Sequence, residues 1–513
     1  MQLNRRDFLK LSSLLPLLIH QLNQPFSDET DFIPGEEFPN IVILVFDALS
    51  SENMSLYGYN RITTPNLDRF AERAMVYHSH YAGGSFTSSG TASLLTGTYP
   101  WTHRAIHLHG TVDEKLARRN LFEVFKPLGY HSIAYSHNLL ATSLLYQFRE
   151  SIISLLRTRE LCLIDDQFAD RLFPADFNVA FWSEWLMMRS EETNPSSLFL
   201  SMVHRFYRAL RKRGVTKDYG EEFPRGIPSL HNLFFVLEDA IDWIMEKLLF
   251  SPKPYLCYFH LLPPHEPYTT RGDYLDLFDD DWAPTPKQES PYSEGYSTQS
   301  LDTQRRYYDE YLAYADGEFG RLYDFMNHEG LFENTYLIVT SDHGEMFERG
   351  IRGHVTPTLY QPITRIPLII SRPGQVFRED IFTPTSCIDL IPTLLSETKQ
   401  SIPQWCEGKI LPGFSHTNDS NDYDIYSMDA KSNPKMGEIR NASISLIRGE
   451  FKLISYLGYE GLSNAYELYN LSKDPGERND LSISHTGILK DLLEIMETKL
   501  GTVNENFIGG RFK

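Results

Sequence analysis

The chain has 513 residues, of which 41% are hydrophobic and 23% are charged, and its formal net charge is -20 at pH 7. This length predicts one large α/β unit with a smaller appendage, and the ordinary composition excludes wholesale disorder and a multi-span membrane protein. The acidic balance disfavours contact with polyanions, so we exclude nucleic acid as a partner.

The N-terminus predicts export. Residues 4–10 have the sequence Asn-Arg-Arg-Asp-Phe-Leu-Lys, and the apolar stretch from Leu11 to Ile19 comes directly after them. This order resembles a twin-arginine export signal, and an ordinary basic N-terminal helix is the alternative. The apolar stretch is short for a membrane span. We therefore expect residues 1–26 to form a signal segment, and the protein to be periplasmic, attached to the cell envelope or extracellular.

Three continuous apolar runs predict strands that are buried on both faces of a parallel sheet. The runs are Asn40 to Phe46, Tyr255 to His260 and Thr335 to Thr340. Asp47 directly follows the first run, whereas Asp342 and His343 follow the last. In an open α/β sheet the ligand crevice lies beyond the carboxyl ends of the strands, so we expect these polar residues to converge.

Helical patterns separate the strands, namely Thr64 to Ala74, which Pro65 opens, and Arg305 to Gly330. Alternation of strands and helices predicts a mostly parallel, doubly wound sheet flanked by helices. We assign residues 38–395 to this catalytic α/β domain. Residues 396–513 are predicted to form a smaller α+β subdomain, with a hairpin around Arg448-Gly449-Glu450 and a final helix from Thr486 to Leu500.

Residues from about 141 to 247 carry several helix-like patterns and are predicted to be a helical insertion. Within it, Phe199 to Arg213 is amphipathic and basic. Such a helix is compatible with contact to a membrane surface or an anionic substrate, although this pattern is more often a solvated helix face. The stretch from Thr269 to Ser300 is rich in Asp, Pro, Ser and Gly, which predicts a long loop, and we expect it to lie over the site.

Asp47, Asp342 and His343 are suitable ligands for a catalytic metal, which needs carboxylates and an imidazole at fixed strand ends. Each aspartate taken alone is also typical of a turn or helix cap. The segment from Gly83 to Gly97 adds a stretch of small and hydroxyl-bearing residues, and Ala92 to Leu95 is predicted to start a helix whose N-terminus favours negative charge. A metal-bound hydroxyl there would lose its proton easily and attack phosphorus or sulfur, whereas the alternative is a helix cap without chemistry.

Several motifs, in order from about Pro39 to Leu481, resemble the sulfatase family of the alkaline phosphatase superfamily. They are Phe38-Pro39-Asn40-Ile41 to Asp47, Tyr57-Gly58-Tyr59 with Thr64 to Asp68, Ala92 to Pro100, His265-Glu266-Pro267, Thr340 to Glu345, Arg365 to Ile370 and Tyr466 to Glu477. The resemblance implies the fold of that superfamily and a metal-dependent enzyme that cleaves esters.

The chain departs from the sulfatase pattern at its nucleophile. Sulfatases use a formylglycine made from a Cys or Ser, and in this register the nucleophile position is Thr87, which cannot be converted. Ser89 and Thr91 stand where the motif has Pro and Arg. Ala48 replaces the second of two paired aspartates, and His343 replaces an amide.

The resulting ligand set is similar to that of phosphoglycerol and phosphoethanolamine transferases, which act through a threonine. It consists of Asp47, Thr87, Asp342 and His343. An imidazole among the donors favours manganese or zinc as the divalent ion, with calcium and magnesium as alternatives. By the family pattern, His265 and His354 would also reach the site, where His265 would contact the transferred group or protonate the leaving oxygen.

The resemblance therefore implies a hydrolase or transferase that acts on a phosphate mono- or diester through Thr87. The substrate would be a small molecule or an envelope glycan or lipid. Two alternatives remain open: a sulfatase that works without formylglycine, and a non-catalytic protein that binds an envelope component.

Overall fold

A computed structural model describes the chain over residues 38–163, 198–230, 233–415, 423–459 and 466–505. The predicted signal segment, residues 1–26, lies outside these ranges. The strands are β1 (Asn40–Phe46), β2 (Met75–Tyr77), β3 (His80–Tyr81), β4 (His131–Ser136), β5 (Ser154–Leu155), β6 (Ser229–Leu230), β7 (Leu233–Phe234), β8 (Tyr255–Leu261), β9 (Thr335–Thr340), β10 (Met346–Glu348), β11 (Ile351–Gly353), β12 (Leu368–Ser371), β13 (Glu379–Ile381), β14 (Thr385–Ser386), β15 (Ile425–Asp429), β16 (Ala442–Arg448), β17 (Phe451–Leu457) and β18 (Tyr466–Asn470).

The α-helices lie mostly between these strands. They are α1 (Pro65–Ala71), α2 (Thr87–Thr96), α3 (Pro100–His103), α4 (Leu121–Phe125), α5 (Leu139–Gln147), α6 (Leu198–Tyr219), α7 (Leu237–Phe250), α8 (Thr298–His328), α9 (Gln361–Thr364), α10 (Leu390–Glu397) and α11 (Thr486–Glu505). Helix α8 begins at Thr298, ahead of the predicted start at Arg305, because the Ser297 side chain accepts a hydrogen bond from the backbone of Ser300 and caps the helix there.

The central sheet has eight strands in the order β13-β2-β12-β9-β1-β8-β4-β5. The five strands from β9 to β5 are mutually parallel, whereas β12 runs antiparallel to both of its neighbours. All residues of β1, β8 and β9 are buried, as their continuous apolar runs predict. The predicted α/β fold with a mostly parallel sheet is therefore confirmed.

The three strands predicted to carry polar residues at their ends are neighbours in this sheet. Val45 of β1 is in register with His260 of β8 on one side and with Thr340 of β9 on the other. Because the strands are parallel, their carboxyl ends meet at one edge, and the residues immediately after them are brought together.

The C-terminal part contains a four-stranded antiparallel sheet in the order β15-β16-β17-β18. The predicted hairpin is present as β16 and β17, with Arg448 opposite Phe451 and Gly449 at a φ of 58° in the turn. The described residues from Pro39 onward cluster as one compact unit, and the boundary near residue 396 stays a prediction.

A buried ion pair ties the C-terminal tail to the catalytic part. The ammonium of Lys452 on β17 lies 2.8 Å from a carboxylate oxygen of Glu477, and neither side chain is exposed. The other oxygen of Glu477 accepts a hydrogen bond from the backbone N–H of Gln361, the first residue of α9. Since a buried charge without its partner is costly, this pair holds the small sheet in a defined position.

The predicted basic helix is present as α6. The side chains of Arg205, Arg208 and Arg211 lie outside the described set, whereas Phe206 and Leu210, four residues apart, are exposed. None of the helices in the described ranges is long and apolar enough to cross a membrane. Contact with a membrane surface stays a prediction.

The stretch from Thr269 to Ser297 is irregular apart from one turn of 3-10 helix, as predicted for a long loop. Its contacts include helix α8 and strand β10: Arg306 pairs with Asp279, and Lys287 lies 2.9 Å from Glu348. The expectation that this loop covers the site stays a prediction.

Candidate active site

Two aspartates and one histidine meet at the carboxyl edge of the central sheet. Asp47 directly follows β1, Asp342 follows β9 after Ser341, and His260 is the penultimate residue of β8. The Nε2 atom of His260 lies 3.1 Å from Asp47 Oδ2 and 3.8 Å from Asp342 Oδ2. All three side chains are fully buried, and they form a group with the spacing of a metal site.

His343 faces the same two carboxylates. Its Nε2 atom lies 3.5 Å from Asp47 Oδ1 and 3.5 Å from Asp342 Oδ2. Its Nδ1 atom lies 3.0 Å from the carbonyl oxygen of Gly344, which only accepts, so Nδ1 carries the proton. In the neutral ring, Nε2 therefore presents its lone pair to the carboxylates, which is the arrangement of a metal-ligating imidazole.

Thr87 is the first residue of helix α2, and its hydroxyl faces the cluster. The Oγ1 atom lies 3.3 Å from His343 Nε2. The helix begins here and not at Ala92 as predicted, and all ten of its residues are buried. Burial therefore overrides the weak helix propensity of the Ser, Thr and Gly residues in its first turns.

Gly90 allows α2 to approach the cluster of carboxylates and imidazoles closely. A Cβ atom at Gly90 would lie 2.1 Å from the backbone oxygen of Asp342, so a larger residue would push the helix away. The next residue of the helix is Thr91, whose hydroxyl donates to Asp342 Oδ2 at 3.4 Å. Thr91, at the position where the sulfatase motif has Arg, thus supports a predicted metal ligand.

Asn138 also belongs to the site. Its Oδ1 atom accepts a hydrogen bond from Leu140 N and caps helix α5, while its Nδ2 atom donates to Asp47 Oδ2 and to Thr87 Oγ1, the latter at 3.2 Å. One amide group therefore holds the candidate nucleophile and a candidate ligand at a set separation.

Neither His260 nor Asn138 has a role predicted from the sequence. His260 could have been found from its place at the end of a predicted strand. The same argument identified Asp47, which directly follows a predicted strand. The signal for Asn138 was an N-cap residue just after the short strand β4.

His265 and His354 lie beside His343, as the family pattern implies. The ring centroids of His343 and His354 are 4.2 Å apart, and those of His265 and His354 are 4.9 Å apart. His354 Nδ1 lies 3.2 Å from both carboxylate oxygens of Glu345, a buried residue for which the sequence predicted no role. The structure thus brings every residue of the predicted site into one cluster.

The surroundings of Asp47 and Asp342 shift the pKa values of the two carboxyl groups in opposite directions. Burial alone would raise the pKa of Asp47, but the charges of His265 and His260 outweigh it and hold that pKa below its ordinary range. Burial and the negative charge of Asp47 raise the pKa of Asp342. Two carboxylates this close repel one another unless positive charge lies between them.

The outer histidines differ in their proton affinity. Burial lowers the pKa of His354 to about 3, and the charge of His265 adds to this effect. Burial would also lower the pKa of His265, but the charges of Asp47 and Glu345 outweigh it and raise that pKa above its ordinary value. Burial raises the pKa of Glu345 to about 7. His265 is therefore the better proton carrier of the two histidines.

The residues present fit a divalent cation. Asp47 Oδ1 is buried and has no hydrogen-bond partner among the described residues, although a buried carboxylate oxygen normally has one. Two carboxylates and two imidazoles around one point are a donor set typical of transition-metal sites. Ala48, where the calcium-dependent pattern has a second aspartate, contributes only its backbone N–H, which donates to Asp342 Oδ1 at 3.3 Å.

Comparison with known proteins places these features in a family. The family model described as Sulfatase matches residues 39–143 and 231–399, and that described as N-sulphoglucosamine sulphohydrolase, C-terminal, matches residues 356–506. An uncharacterized sulfatase, YidJ, of Escherichia coli is 23% identical over 86% of this chain and 83% of its own length. The N-acetylgalactosamine-6-O-sulfatase of Bacteroides thetaiotaomicron is 23% identical over 95% of this chain and 99% of its own length.

Among solved structures, the phosphonate monoester hydrolase of Agrobacterium radiobacter has a TM-score of 0.63 and 18% identity, and the match covers 90% of this chain and 96% of that one. This likeness shows a shared fold. Enzymes of the sulfatase family use a divalent metal, which agrees with the buried cluster of carboxylates and imidazoles. The matched family models span most of the α/β core and the C-terminal sheet, so the chain belongs to the sulfatase family of ester-cleaving hydrolases.

Proposed function

We propose that this protein cleaves or transfers the phosphoryl group of a phosphate mono- or diester through Thr87, at a single divalent cation. One observation carries the proposal: the residue that heads α2, 3.3 Å from His343, is a threonine. Threonine cannot become formylglycine, but its hydroxyl is a competent nucleophile once its proton is lost. The helix N-terminus behind it favours the negative charge of the reacting group.

In this proposal, Asp47, Thr87, Asp342 and His343 hold the cation, and His260 adds a nitrogen donor beside them. Two imidazoles favour manganese or zinc over calcium or magnesium. When bound, the cation supplies positive charge that favours loss of the Thr87 proton and offsets charge on the substrate. Asn138 keeps the Thr87 oxygen near Asp47 through its two hydrogen bonds.

The chain's own groups complete the reaction. The Thr87 oxygen forms a bond to phosphorus while the bond from phosphorus to the leaving oxygen breaks, and His265 gives its proton to that oxygen. In the second step the oxygen of water or of an acceptor alcohol bonds to phosphorus and its proton passes to His265, while the bond from phosphorus to the Thr87 oxygen breaks and that oxygen leaves without a proton, as it entered the reaction. The Agrobacterium radiobacter relative is a phosphonate monoester hydrolase, which is related chemistry on the same fold.

The second candidate is hydrolysis of a sulfate ester by unmodified Thr87. It is favoured by the curated relatives, which include an arylsulfatase of Clostridium perfringens and a choline-sulfatase of Rhizobium meliloti. In either case we propose a small-molecule, glycan or lipid ester as the substrate.

A matched substrate panel tests the two candidates. The metal-loaded protein is assayed with four 4-nitrophenyl esters: the phosphate, the phenyl phosphodiester, the phenylphosphonate and the sulfate. Quenched samples are analysed by mass spectrometry. We expect the phosphorus esters to be turned over faster, and Thr87 to carry one phosphoryl group. Faster turnover of the sulfate would favour the second candidate. A protein that binds no metal and cleaves none of the four would support the non-catalytic alternative.

Replacing His265 with glutamine should affect substrates according to their leaving group. A general acid matters most when the departing oxygen is strongly basic, so kcat for an alkyl or unactivated phenyl ester should fall about 100-fold or more. The 4-nitrophenyl ester should lose much less, because 4-nitrophenolate leaves without a proton. Equal losses on both substrates would contradict the acid role and would indicate a contact with the transferred group.

A further inference from the structure

The C-terminal sheet reaches the segment that leads into the candidate nucleophile. Its edge strand β15 lies against residues 82–84: Met428 N donates to Gly83 O at 3.0 Å, and Ser427 Oγ donates to Ala82 O at 2.6 Å. The end of β15 is therefore fixed beside the backbone that leads into Thr87. The residues immediately after β15 are thereby held close to the candidate site.

Lys431 comes just after β15 and is anchored by Asp429, the last residue of that strand. The ammonium of Lys431 lies 2.5 Å from Asp429 Oδ2, and its backbone N–H donates to Asp429 Oδ1 at 3.2 Å. Asp429 is fully buried, and Ser85 Oγ lies 3.4 Å from the same carboxylate. These contacts hold the lysine against the nucleophile segment.

The ammonium of Lys431 lies beside the residue that precedes the candidate nucleophile. It is 6.0 Å from the ring centroid of Phe86, the residue before Thr87. The Lys431 side chain is 25% exposed, so a ligand can reach it from solvent.

Lys431 retains the capacity to bind a second anion. An ammonium group has three N–H donors, and Asp429 is its one carboxylate partner in the described residues. Arg352 is another cation near the histidines, and it lies 2.6 Å from a carboxylate oxygen of Glu266. That carboxylate is more exposed than the one of Asp429. A cation held by a buried carboxylate is pre-organised for an anionic ligand.

We propose that Lys431 determines specificity by binding a negatively charged oxygen of the substrate's phosphate or sulfate group as that group meets Thr87. The inference rests on the proposed function, because it requires an oxyanion ester at the site. It assigns to the C-terminal sheet a direct part in substrate binding.

The test is the dissociation constant of inorganic phosphate, measured by calorimetry on the metal-loaded protein and on the Lys431→Met variant. Loss of one charge-assisted hydrogen bond is expected to weaken binding about tenfold or more. The matched control is Lys435→Met in the same loop, where the ammonium contacts Thr111 Oγ1 at 3.3 Å and Val112 O at 3.2 Å, and binding should be unchanged. Unchanged binding by Lys431→Met would overturn the inference.

Two further variants separate a direct contact from a structural effect. Lys431→Arg keeps the charge and should regain much of the affinity. The double variant Asp429→Asn with Lys431→Met leaves no unpaired carboxylate, and it should bind phosphate as weakly as Lys431→Met. Recovery in the double variant would instead mean that the unpaired negative charge of Asp429 caused the loss, which overturns the inference. If the unaltered protein binds neither phosphate nor sulfate, the proposed function itself fails, and the inference fails with it.

Discussion

Replacing Thr87 with alanine is expected to reduce kcat on the best phosphorus ester by about 10,000-fold or more, because the nucleophile of a covalent mechanism is removed. The change removes the hydroxyl that lies 3.3 Å from His343 and 3.2 Å from Asn138. The metal content should remain close to that of the unaltered protein, because Asp47, Asp342 and His343 are retained. Initial rates and elemental analysis on the same preparation measure both quantities.

The neighbouring hydroxyl supplies the control. Ser88 Oγ donates to Leu108 O at 2.6 Å and is therefore directed away from the cluster. Ser88→Ala should keep kcat within a few fold, and Thr87→Ser should retain measurable turnover because it keeps a hydroxyl at the head of α2. Full activity in Thr87→Ala, or loss of activity in Ser88→Ala alone, would show that Thr87 is not the nucleophile.

Removal of the metal is expected to lower kcat by about a thousandfold or more, since a bound cation contributes several kcal/mol of charge stabilisation in the transition state. The unfolding temperature should fall as well, because a cation that binds only the native protein stabilises it by mass action. The buried carboxylates Asp47 and Asp342 would then repel one another more strongly, because the divalent counter-charge is lost. Chelation followed by dialysis, with activity and calorimetric melting measured before and after, tests this directly.

Two aspartate variants, one at a proposed ligand and one at a buried carboxylate elsewhere, distinguish loss of the metal from destabilisation of the fold. Asp342→Asn should lower bound metal by at least about tenfold, since it removes a charged ligand from the site. Asp316→Asn changes a buried carboxylate on α8 that accepts from Asn66 N and Leu67 N, both at 2.8 Å, and it should destabilise the fold while keeping full metal content. Full metal content and unchanged kcat in Asp342→Asn would contradict the assigned site.

Readdition of single metals to the depleted protein tests the donor set. With His343 and His260 both facing the carboxylates, manganese or zinc should restore activity at lower concentration than calcium or magnesium. Preference for calcium would mean that the imidazoles do not act as ligands.

Local sequence determined the buried strands and the polar residues at their ends. The runs from Asn40 to Phe46 and from Thr335 to Thr340 predict β1 and β9 to the residue, because a strand buried on both faces is built mainly of apolar and β-branched residues. The polar residues Asp47 and Asp342 therefore mark strand ends. Their convergence was predictable, since parallel strands share one carboxyl edge.

Helix boundaries were harder to predict from the sequence. The segment from Thr87 to Thr91 has poor helix propensity, so the sequence predicted a start at Ala92, yet α2 begins at Thr87 because the whole helix is enclosed by protein. This difference matters for function, since it places the Thr87 hydroxyl at the helix N-terminus. Packing of distant segments decides such a boundary, and single-residue propensities do not contain it.

The remaining members of the site were decided by tertiary structure alone. His260 and Asn138 come from separate parts of the chain, and each has an ordinary local role as a strand or cap residue. Their place in the site results from the register of β8 on β1 and from the turn after β4. The pairing of β15 with Gly83 likewise brings Lys431, the proposed substrate contact, to the segment that leads into Thr87. The sequence by itself thus determined the family, the sheet and the strand-end residues that we propose as ligands. Only the fold decided which distant side chains complete the site, because contacts between remote segments depend on the packing of the whole core.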